Sequence, residues 1–127
     1  MKVKTNKRLK KILDELWSKA VKKRAGYKCE YKDCKNTSYL NSHHIYNRRH
    51  FSTRWLEDNG ICLCVGHHTL RNDSAHKDPN FMDWLRTYRS KEELWKLETM
   101  RWQTVKYERD WIEGRIQYFK EIEEDKL

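Results

Sequence analysis

The chain has 127 residues, 37% apolar and 37% charged, which suits one small domain with a modest core. No stretch approaches the roughly 18 apolar residues of a membrane span, and the N-terminus lacks the apolar core of a secretory signal, so we expect no membrane partner. Residues 1–79 carry 18 basic and 8 acidic side chains, whereas residues 80–127 carry 10 and 11. All the excess positive charge thus lies in the first two thirds, which predicts an anionic partner, with nucleic acid the first candidate.

The N-terminal segment, residues 7–24, is predicted to form an amphipathic helix. Its apolar residues recur at helical spacing from Leu9 to Val21, with Asn6 as the N-cap and Gly26 as the stop. The opposite face is basic and includes Lys10, Lys11, Lys19, Lys22, Lys23 and Arg24. That face is either simply solvated or follows a phosphate backbone, and in the second case Lys10, Lys22 and Lys23 are the candidate DNA-binding residues.

The rest of the chain changes character twice. Residues 27–66 show short β-prone pieces between turn residues, followed by a short helical stretch at about 67–72 and a helix beginning near Pro79. From 91 to 124 the pattern predicts one long helix of roughly 50 Å, opened by a capping box of Ser90 and Glu93. Such a helix must pack along the body or pair with a second copy or a protein partner. The prediction is a small α+β protein with a basic N-terminal helix (1–26), a core (27–78) and a helical C-terminal region (79–127).

All four cysteines and all six histidines lie between positions 29 and 76. A disulfide framework lacks the support of a secretory signal, whereas clustered histidines indicate metal. Structural zinc takes four soft or borderline ligands, usually as two closely spaced pairs. Cys29-x4-Cys34 and Cys64-x2-His67 supply two such pairs, so the sequence predicts a structural zinc site. Cys62, separated from Cys64 by a single residue, is expected in the core.

A second set of residues with chemical potential remains, comprising His43, His44, Asn59 and His68. With the zinc pairs, their order resembles the HNH endonuclease family, the ββα-metal nucleases, in its zinc-stapled form. The resemblance covers residues 27–76 and is carried by Cys29-x4-Cys34, Ser42-His43-His44-Ile45, and Asn59-Gly60-Ile61-Cys62-Leu63-Cys64-Val65-Gly66-His67-His68. The chain departs from the family in the four-residue spacing of its first cysteine pair and in His67, where the family usually has cysteine. Zinc accepts both changes.

The resemblance implies a role for each of these residues. His43 and His68 would bind a catalytic divalent ion, Mg²⁺ or Mn²⁺ or another divalent transition metal, and His44 would be the general base. Asn59 would tie a loop so that the base is aimed correctly. Neighbouring residues of a strand point to opposite sides, so His43 and His44 can do different work.

The third ligand of the catalytic ion has two candidates. Asn72 lies about 6 Å along the helix from His68 if that helix continues, and it is the favoured one. His76 is the alternative, and it reaches the site only if the run Asn72-Asp73-Ser74 breaks the helix.

A group of arginines follows the segment that carries the base. Arg48, Arg49 and Arg54 lie in the loop where the family binds the phosphate backbone, and a guanidinium fork suits a phosphate. Solvated loop charges are the alternative interpretation. His50 is expected to be a surface residue rather than a ligand.

The resemblance implies a metal-dependent DNA endonuclease that hydrolyses phosphodiester bonds and leaves 5′-phosphate and 3′-hydroxyl ends. Small, lysine-rich members of the family look like phage products that act in the bacterial cytoplasm. The alternative is a non-catalytic zinc-stabilised DNA-binding module, which would have no need of His43, His44, Asn59 and His68. A helical interaction protein acting through residues 91–124 is a third hypothesis, compatible with the first.

Overall fold

The computed structural model describes residues 4–104 and 109–123. In chain order the elements are α1 (Asn6–Arg24), β1 (Leu40–His44), α2 (Phe51–Arg54), a 3₁₀ turn (Glu57–Asn59), β2 (Gly60–Cys64), a π-helical turn (Gly66–Leu70), α3 (Phe81–Tyr88), α4 (Lys91–Met100) and α5 (Arg109–Glu123). The strands pair antiparallel, with Leu40 opposite Cys64 and His44 opposite Gly60. This is the small α+β fold that the sequence predicts. No helix within the described ranges has the length and apolar character to cross a membrane.

The two-stranded sheet lies between two hydrophobic clusters. Every residue of β2 is buried, and successive side chains point to opposite faces. Ile61 and Leu63 therefore enter a cluster that includes residues of α3 and α4, whereas Cys62 enters the cluster formed with α1 and α5. Cys62 is fully buried, so its predicted place in the core is confirmed.

Helix α1 belongs to the body of the protein. Leu9, Leu13, Trp17 and Val21 are its buried stripe, and the helix packs against both strands and α5. Trp17 and Val21 lie so close to Gly60 that any Cβ at position 60 would collide with them. The cap differs by one residue from the prediction, because the Thr5 hydroxyl, and not Asn6, accepts a hydrogen bond from the Arg8 amide at 3.1 Å. Gly26 adopts a φ of +65° just beyond the helix end.

The predicted single helix over 91–124 is wrong. Helix α4 begins as expected, with the Ser90 hydroxyl accepting from the Glu93 amide at 3.1 Å, but it ends at Met100 and a turn follows. Helix α5 packs against α1 and buries Ile112, Ile116 and Phe119. A second helix that packs against α1 buries apolar residues that a straight 50 Å rod would leave outside so small a body. Positions 105–108 and 124 of the prediction lie outside the described residues.

Candidate metal centres and cleft

The first cluster is formed by Cys29 and Cys34 in the loop after α1, Cys64 at the end of β2 and His67 in the π-helical turn. The Cys29 and Cys64 sulfurs lie 3.6 and 3.4 Å from His67 Nδ1, and the Cys34 and Cys64 sulfurs are 4.0 Å apart. A tetrahedral zinc ion separates two sulfur ligands by about 3.8 Å, and a sulfur from a nitrogen by about 3.6 Å. The predicted set is therefore brought together with spacings consistent with zinc.

Local backbone structure explains how the cysteine loop accommodates its four-residue spacing. The Cys29 amide donates to the Asn36 carbonyl at 2.8 Å and the Cys34 amide to the Tyr31 carbonyl at 3.1 Å. The Tyr31 ring packs against the His67 imidazole with centroids 4.6 Å apart. On its outer side, His67 Nε2 faces an Asp73 carboxylate oxygen at 3.9 Å. A carboxylate on that side favours the tautomer that leaves Nδ1 to bind a metal.

The electrostatics of this cluster fit a bound cation. Burial raises the pKa of the Cys29 thiol to about 12. Burial also raises the pKa of Cys64, but hydrogen bonds from the His67 backbone and from the neighbouring thiols outweigh it, so the net shift is downward. Three thiolates in this space need a positive partner, because thiolate and not thiol is the metal ligand. The donor set suits zinc.

The second cluster contains three histidines: His43 on β1, His68 in the π-helical turn and His76 in the loop that follows. One ring nitrogen from each lies within 4.8 Å of the others, and the Nε2 atoms of His68 and His76 are 3.1 Å apart. Nitrogen ligands about 2.0–2.1 Å from one ion are about 3.0–3.4 Å apart when adjacent. The expectation that His43 and His68 approach each other is met.

The geometric basis for Asn72 as the third ligand is wrong. The π-helical turn ends at Leu70, and the next residue is extended, so Asn72 does not lie one helical turn beyond His68. Instead, the Ala75 amide donates to the His67 carbonyl at 2.8 Å and the His76 amide donates to the His68 carbonyl at 3.2 Å. These two bonds hold residues 75–76 against residues 67–68. They bring His76, the alternative candidate, beside His68.

The chemistry of this second set favours a transition metal. Imidazole nitrogen suits zinc, copper, iron and nickel, whereas Mg²⁺ prefers oxygen ligands. Burial, followed by the positive charges of His68 and His76, lowers the pKa of His43 to about 3, which keeps its nitrogen lone pair available. His76 is exposed, and all three rings line a cleft of about 810 Å³. The set therefore fits an ion with open coordination positions.

His44 lies on the other side of β1, as strand alternation predicts, yet lines the same cleft at the end of the strand. Its ring stacks on Trp17 with centroids 3.9 Å apart and planes 8° from parallel. Nε2 lies 3.0 Å from the Arg54 carbonyl oxygen. A carbonyl only accepts, so Nε2 carries the proton and Nδ1 of the neutral ring is a lone-pair acceptor. Burial lowers the pKa of His44 to about 4.

The prediction that Arg54 binds DNA requires a correction, because its guanidinium is bound to Asp14 inside the protein. Its Nε and Nη2 atoms donate to the two carboxylate oxygens of Asp14 at 3.1 and 2.7 Å, and the Trp55 indole donates to the same carboxylate at 2.7 Å. Arg54 is only 9% exposed. Its main chain supports His44 instead, a role that sequence reasoning missed, as it missed Asp14 and Trp17. Asp14 and Trp17 are three positions apart on α1 and so share a helix face. That spacing is the one sequence signal for their association, and it does not indicate that they contact His44.

Asn59 has the architectural geometry expected of it. The residue is fully buried, its Oδ1 accepts from the Tyr46 amide at 2.8 Å and its Nδ2 donates to the Tyr46 carbonyl at 3.1 Å. The Ile45 amide donates to the Asn59 carbonyl at 2.9 Å. The start of β2 is thereby fixed to the chain just after His44.

The candidate DNA-binding side chains have different surroundings. Arg48 and Arg49 are exposed, and Arg48 lines the cleft. Lys10 stands over the Phe51 ring at 5.2 Å. Lys23 instead donates to the Ile122 carbonyl at 3.1 Å, and Lys22 lines a groove between α1 and α5. The structure thus directs Lys23 toward α5 and leaves Arg48 in the cleft with the histidines, with Arg49 exposed next to it.

The predicted metal-ligating residues therefore lie in two neighbouring clusters, except Asn72, and the predicted base His44 shares a cleft with the second cluster. Of the candidate DNA-binding residues, only Arg48 lines that cleft. Comparison of the chain with protein-family models, with curated proteins and with solved structures found no match.

Proposed function

We propose that this protein is a metal-dependent DNA endonuclease of the HNH type, in which β1, β2 and the π-helical turn form a ββα-metal site. The observation that carries the proposal is one cleft that holds the nitrogen cluster of His43, His68 and His76 together with His44. A DNA-binding module stabilised by zinc has no use for these four side chains.

Substrate binding falls to the positive rim of the cleft. Arg48 lines it and Arg49 follows in the same turn, where the Asn47 side chain accepts from the Arg49 amide at 2.9 Å. Neither arginine forms an ion pair within residues 4–104 and 109–123. Their guanidinium groups are thus available to a phosphodiester, whose geometry matches the guanidinium fork.

His44 acts as the general base. Its Nδ1 accepts a proton from the attacking water, and its Nε2–H bond to the Arg54 carbonyl stabilises the imidazolium that forms. The parallel stack on Trp17 fixes the ring plane, so the lone pair keeps one direction. Asp14 holds Arg54 and therefore supports the carbonyl that orients the base.

A divalent transition metal bound by His43, His68 and His76 would neutralise charge on the scissile phosphate and on the departing 3′-oxygen. His43 and His44 are neighbours on one strand but face opposite sides of it. The ligand set and the base therefore approach the substrate from two directions, an arrangement that suits attack on one side of phosphorus and departure on the other.

The first cluster, formed by three cysteines and His67 and called the Cys₃His cluster from here on, supplies stability rather than chemistry. Its four ligands would fill the coordination shell of a zinc ion and leave no open position, which is typical of structural zinc. It joins the cysteine loop to the end of β2 and to the turn that carries His68. A zinc ion bound there would hold His68, one ligand of the reactive centre, in place.

A plasmid assay tests the proposal. Protein with one zinc per chain is incubated with supercoiled plasmid and Mn²⁺, Co²⁺, Ni²⁺, Zn²⁺ or Mg²⁺, with EDTA as the control. We expect nicking with transition metals, weaker nicking with Mg²⁺, and nicked circles that ligase reseals without prior phosphorylation. If zinc-loaded, folded protein cleaves with none of these metals, the nuclease proposal is wrong, and DNA affinity then decides whether the binding module replaces it.

A further inference from the structure

An aromatic surface lies outside the cleft, where α2 meets the end of α4. We define it by His50, Phe51 and Trp102. Trp102 is 66% exposed and Phe51 39%, and the rings of His50 and Trp102 meet edge to face with centroids 5.1 Å apart. The Ser52 hydroxyl donates to the Met100 carbonyl and thereby joins the two helices. Large aromatic rings held at a surface mark an interaction site.

Cations stand beside these rings. The Arg101 guanidinium lies 4.5 Å from the centre of the Trp102 ring, and Lys10 Nζ lies 5.2 Å from the centre of the Phe51 ring. Arg101 is balanced by Glu98 at 3.0 Å. Lys10, by contrast, forms no ion pair in the part of the chain that the structure describes, and the same is true of Arg48 and Arg49. Aromatic rings between available cations are the combination that binds single-stranded nucleic acid.

The aromatic surface adjoins the cleft through one tight turn. The His50 amide donates to the Asn47 carbonyl at 3.0 Å, which closes the turn. Arg48 lines the cleft, and His50, two residues later, contacts Trp102. Two residues span at most roughly 7 Å between Cα atoms. A strand that leaves the cleft beside Arg48 therefore meets the aromatic surface within a nucleotide or two.

We propose that the aromatic surface binds unpaired bases of the DNA strand whose neighbouring phosphate lies in the cleft. The substrate class is then DNA with a junction between duplex and single strand, such as a tailed or branched duplex. This inference rests on the proposed function, because it takes the cleft as the place of the phosphate. Protein interfaces also use tryptophan and arginine, but cations without acidic partners on the cleft side favour a polyanion.

The test compares a blunt duplex with the same duplex carrying a single-stranded tail. His44→Ala protein is used so that the DNA stays intact, and affinity is measured by fluorescence anisotropy at several salt concentrations. Adding Trp102→Ala should lower affinity for the tailed duplex about tenfold and leave affinity for the blunt duplex and the salt dependence unchanged. Trp102→Phe, which keeps a ring, should retain most of the affinity. Lys10→Gln should instead reduce the salt slope by about one.

Tyr39→Ala is the matched control, because Tyr39 is 83% exposed and precedes β1, at the opposite end of that strand from His44. It should leave both affinities unchanged, and thermal melting should show all variants folded. The inference is overturned if Trp102→Ala behaves like Tyr39→Ala. It is also overturned if the parent His44→Ala protein binds the tailed and the blunt duplex with equal affinity. It is also overturned if Trp102→Ala changes sedimentation of the protein but no DNA affinity, since the surface is then a protein interface.

The two proposals fail separately. If the protein cleaves plasmid but its affinity for tailed DNA does not depend on Trp102, the role of the aromatic surface is wrong and the nuclease proposal stands. If the protein binds tailed DNA through Trp102 but none of the tested metals supports cleavage, the nuclease proposal is wrong and the role of the aromatic surface stands.

Discussion

Two adjacent histidines belong to two different clusters. His67 joins three cysteines in a largely buried, closed set of four, whereas His68 joins His43 and His76 in a set of three that opens to a cleft. A closed tetrahedral set is typical of a structural ion, and a set with open positions is typical of a reactive one. Two consecutive residues of the π-helical turn thus bind, in our proposal, a structural ion and a catalytic ion.

We expect the three-histidine cluster to depend on the Cys₃His cluster, but not the reverse. The turn that carries His68 begins directly after Cys64, so loss of the Cys₃His cluster should disturb both centres. His76, in contrast, is exposed and follows the turn. Loss of the three-histidine cluster should therefore remove activity and leave the fold.

The largest effect should come from Cys34→Ala. The variant should lose its zinc and several kcal/mol of stability, because metal-binding free energy is folding free energy in small metal-stapled domains. Metal analysis and thermal melting measure both quantities. Cys62→Ala is the control: it removes a buried thiol that is no ligand and should keep one zinc per chain. A Cys34→Ala protein that holds zinc and melts like wild type would contradict the assignment.

His68→Ala and His76→Ala should keep zinc and melting temperature close to wild type and lose most plasmid cleavage. Excess transition metal should restore part of the rate, because the defect is weaker binding of the ion. Asn72→Ala serves as the control and should cleave normally, since the chain turns back before position 72 can lie beside His68. Normal cleavage by His76→Ala together with loss in Asn72→Ala would reverse the choice of third ligand.

A pH effect on stability should follow from the burial of His44. Its folded pKa of about 4 lies below the ordinary value of 6.5, so between these values the unfolded chain binds more protons than the folded one. The contribution of His44 is complete above about pH 6.5 and is lost as the pH falls toward 4. In His44→Gln, the dependence of unfolding free energy on pH in this window should be shallower by at most about 1.4 kcal/mol per pH unit. Equal slopes in denaturant titrations of both proteins would argue against a buried, neutral His44.

The smallest effect should come from the positive rim. Arg48→Gln should weaken DNA binding and reduce the slope of log affinity against log salt by about one, because one phosphate contact is lost. Lys23→Gln is the matched control, since Lys23 is directed to the Ile122 carbonyl. It should leave the slope unchanged. A larger change in Lys23→Gln than in Arg48→Gln would move the DNA path from the cleft to the α1–α5 side.

Features set by short spacings could be predicted from the sequence. The ligand pairs of the Cys₃His cluster, the opposite directions of His43 and His44, the buried stripe of α1 and the cap at Ser90 all follow from local periodicity. Each depends on residues a few positions apart, and the structure reproduces them.

Features set by long-range packing could not be predicted. The return of His76 depends on two backbone hydrogen bonds between the segments 67–68 and 75–76. Arg54 is held by Asp14, forty positions earlier. The end of α4 at Met100 reflects the burial available to α5 against α1, which no helical period in that segment reveals.

The rate of supercoiled-plasmid cleavage by His44→Ala, measured beside wild type at saturating transition metal, tests the central claim most directly. Both proteins must first show the same zinc content and the same affinity for DNA. The account predicts a fall of about 10²–10⁴ in rate, because only the general base is lost. Cleavage by His44→Ala at the wild-type rate would contradict it.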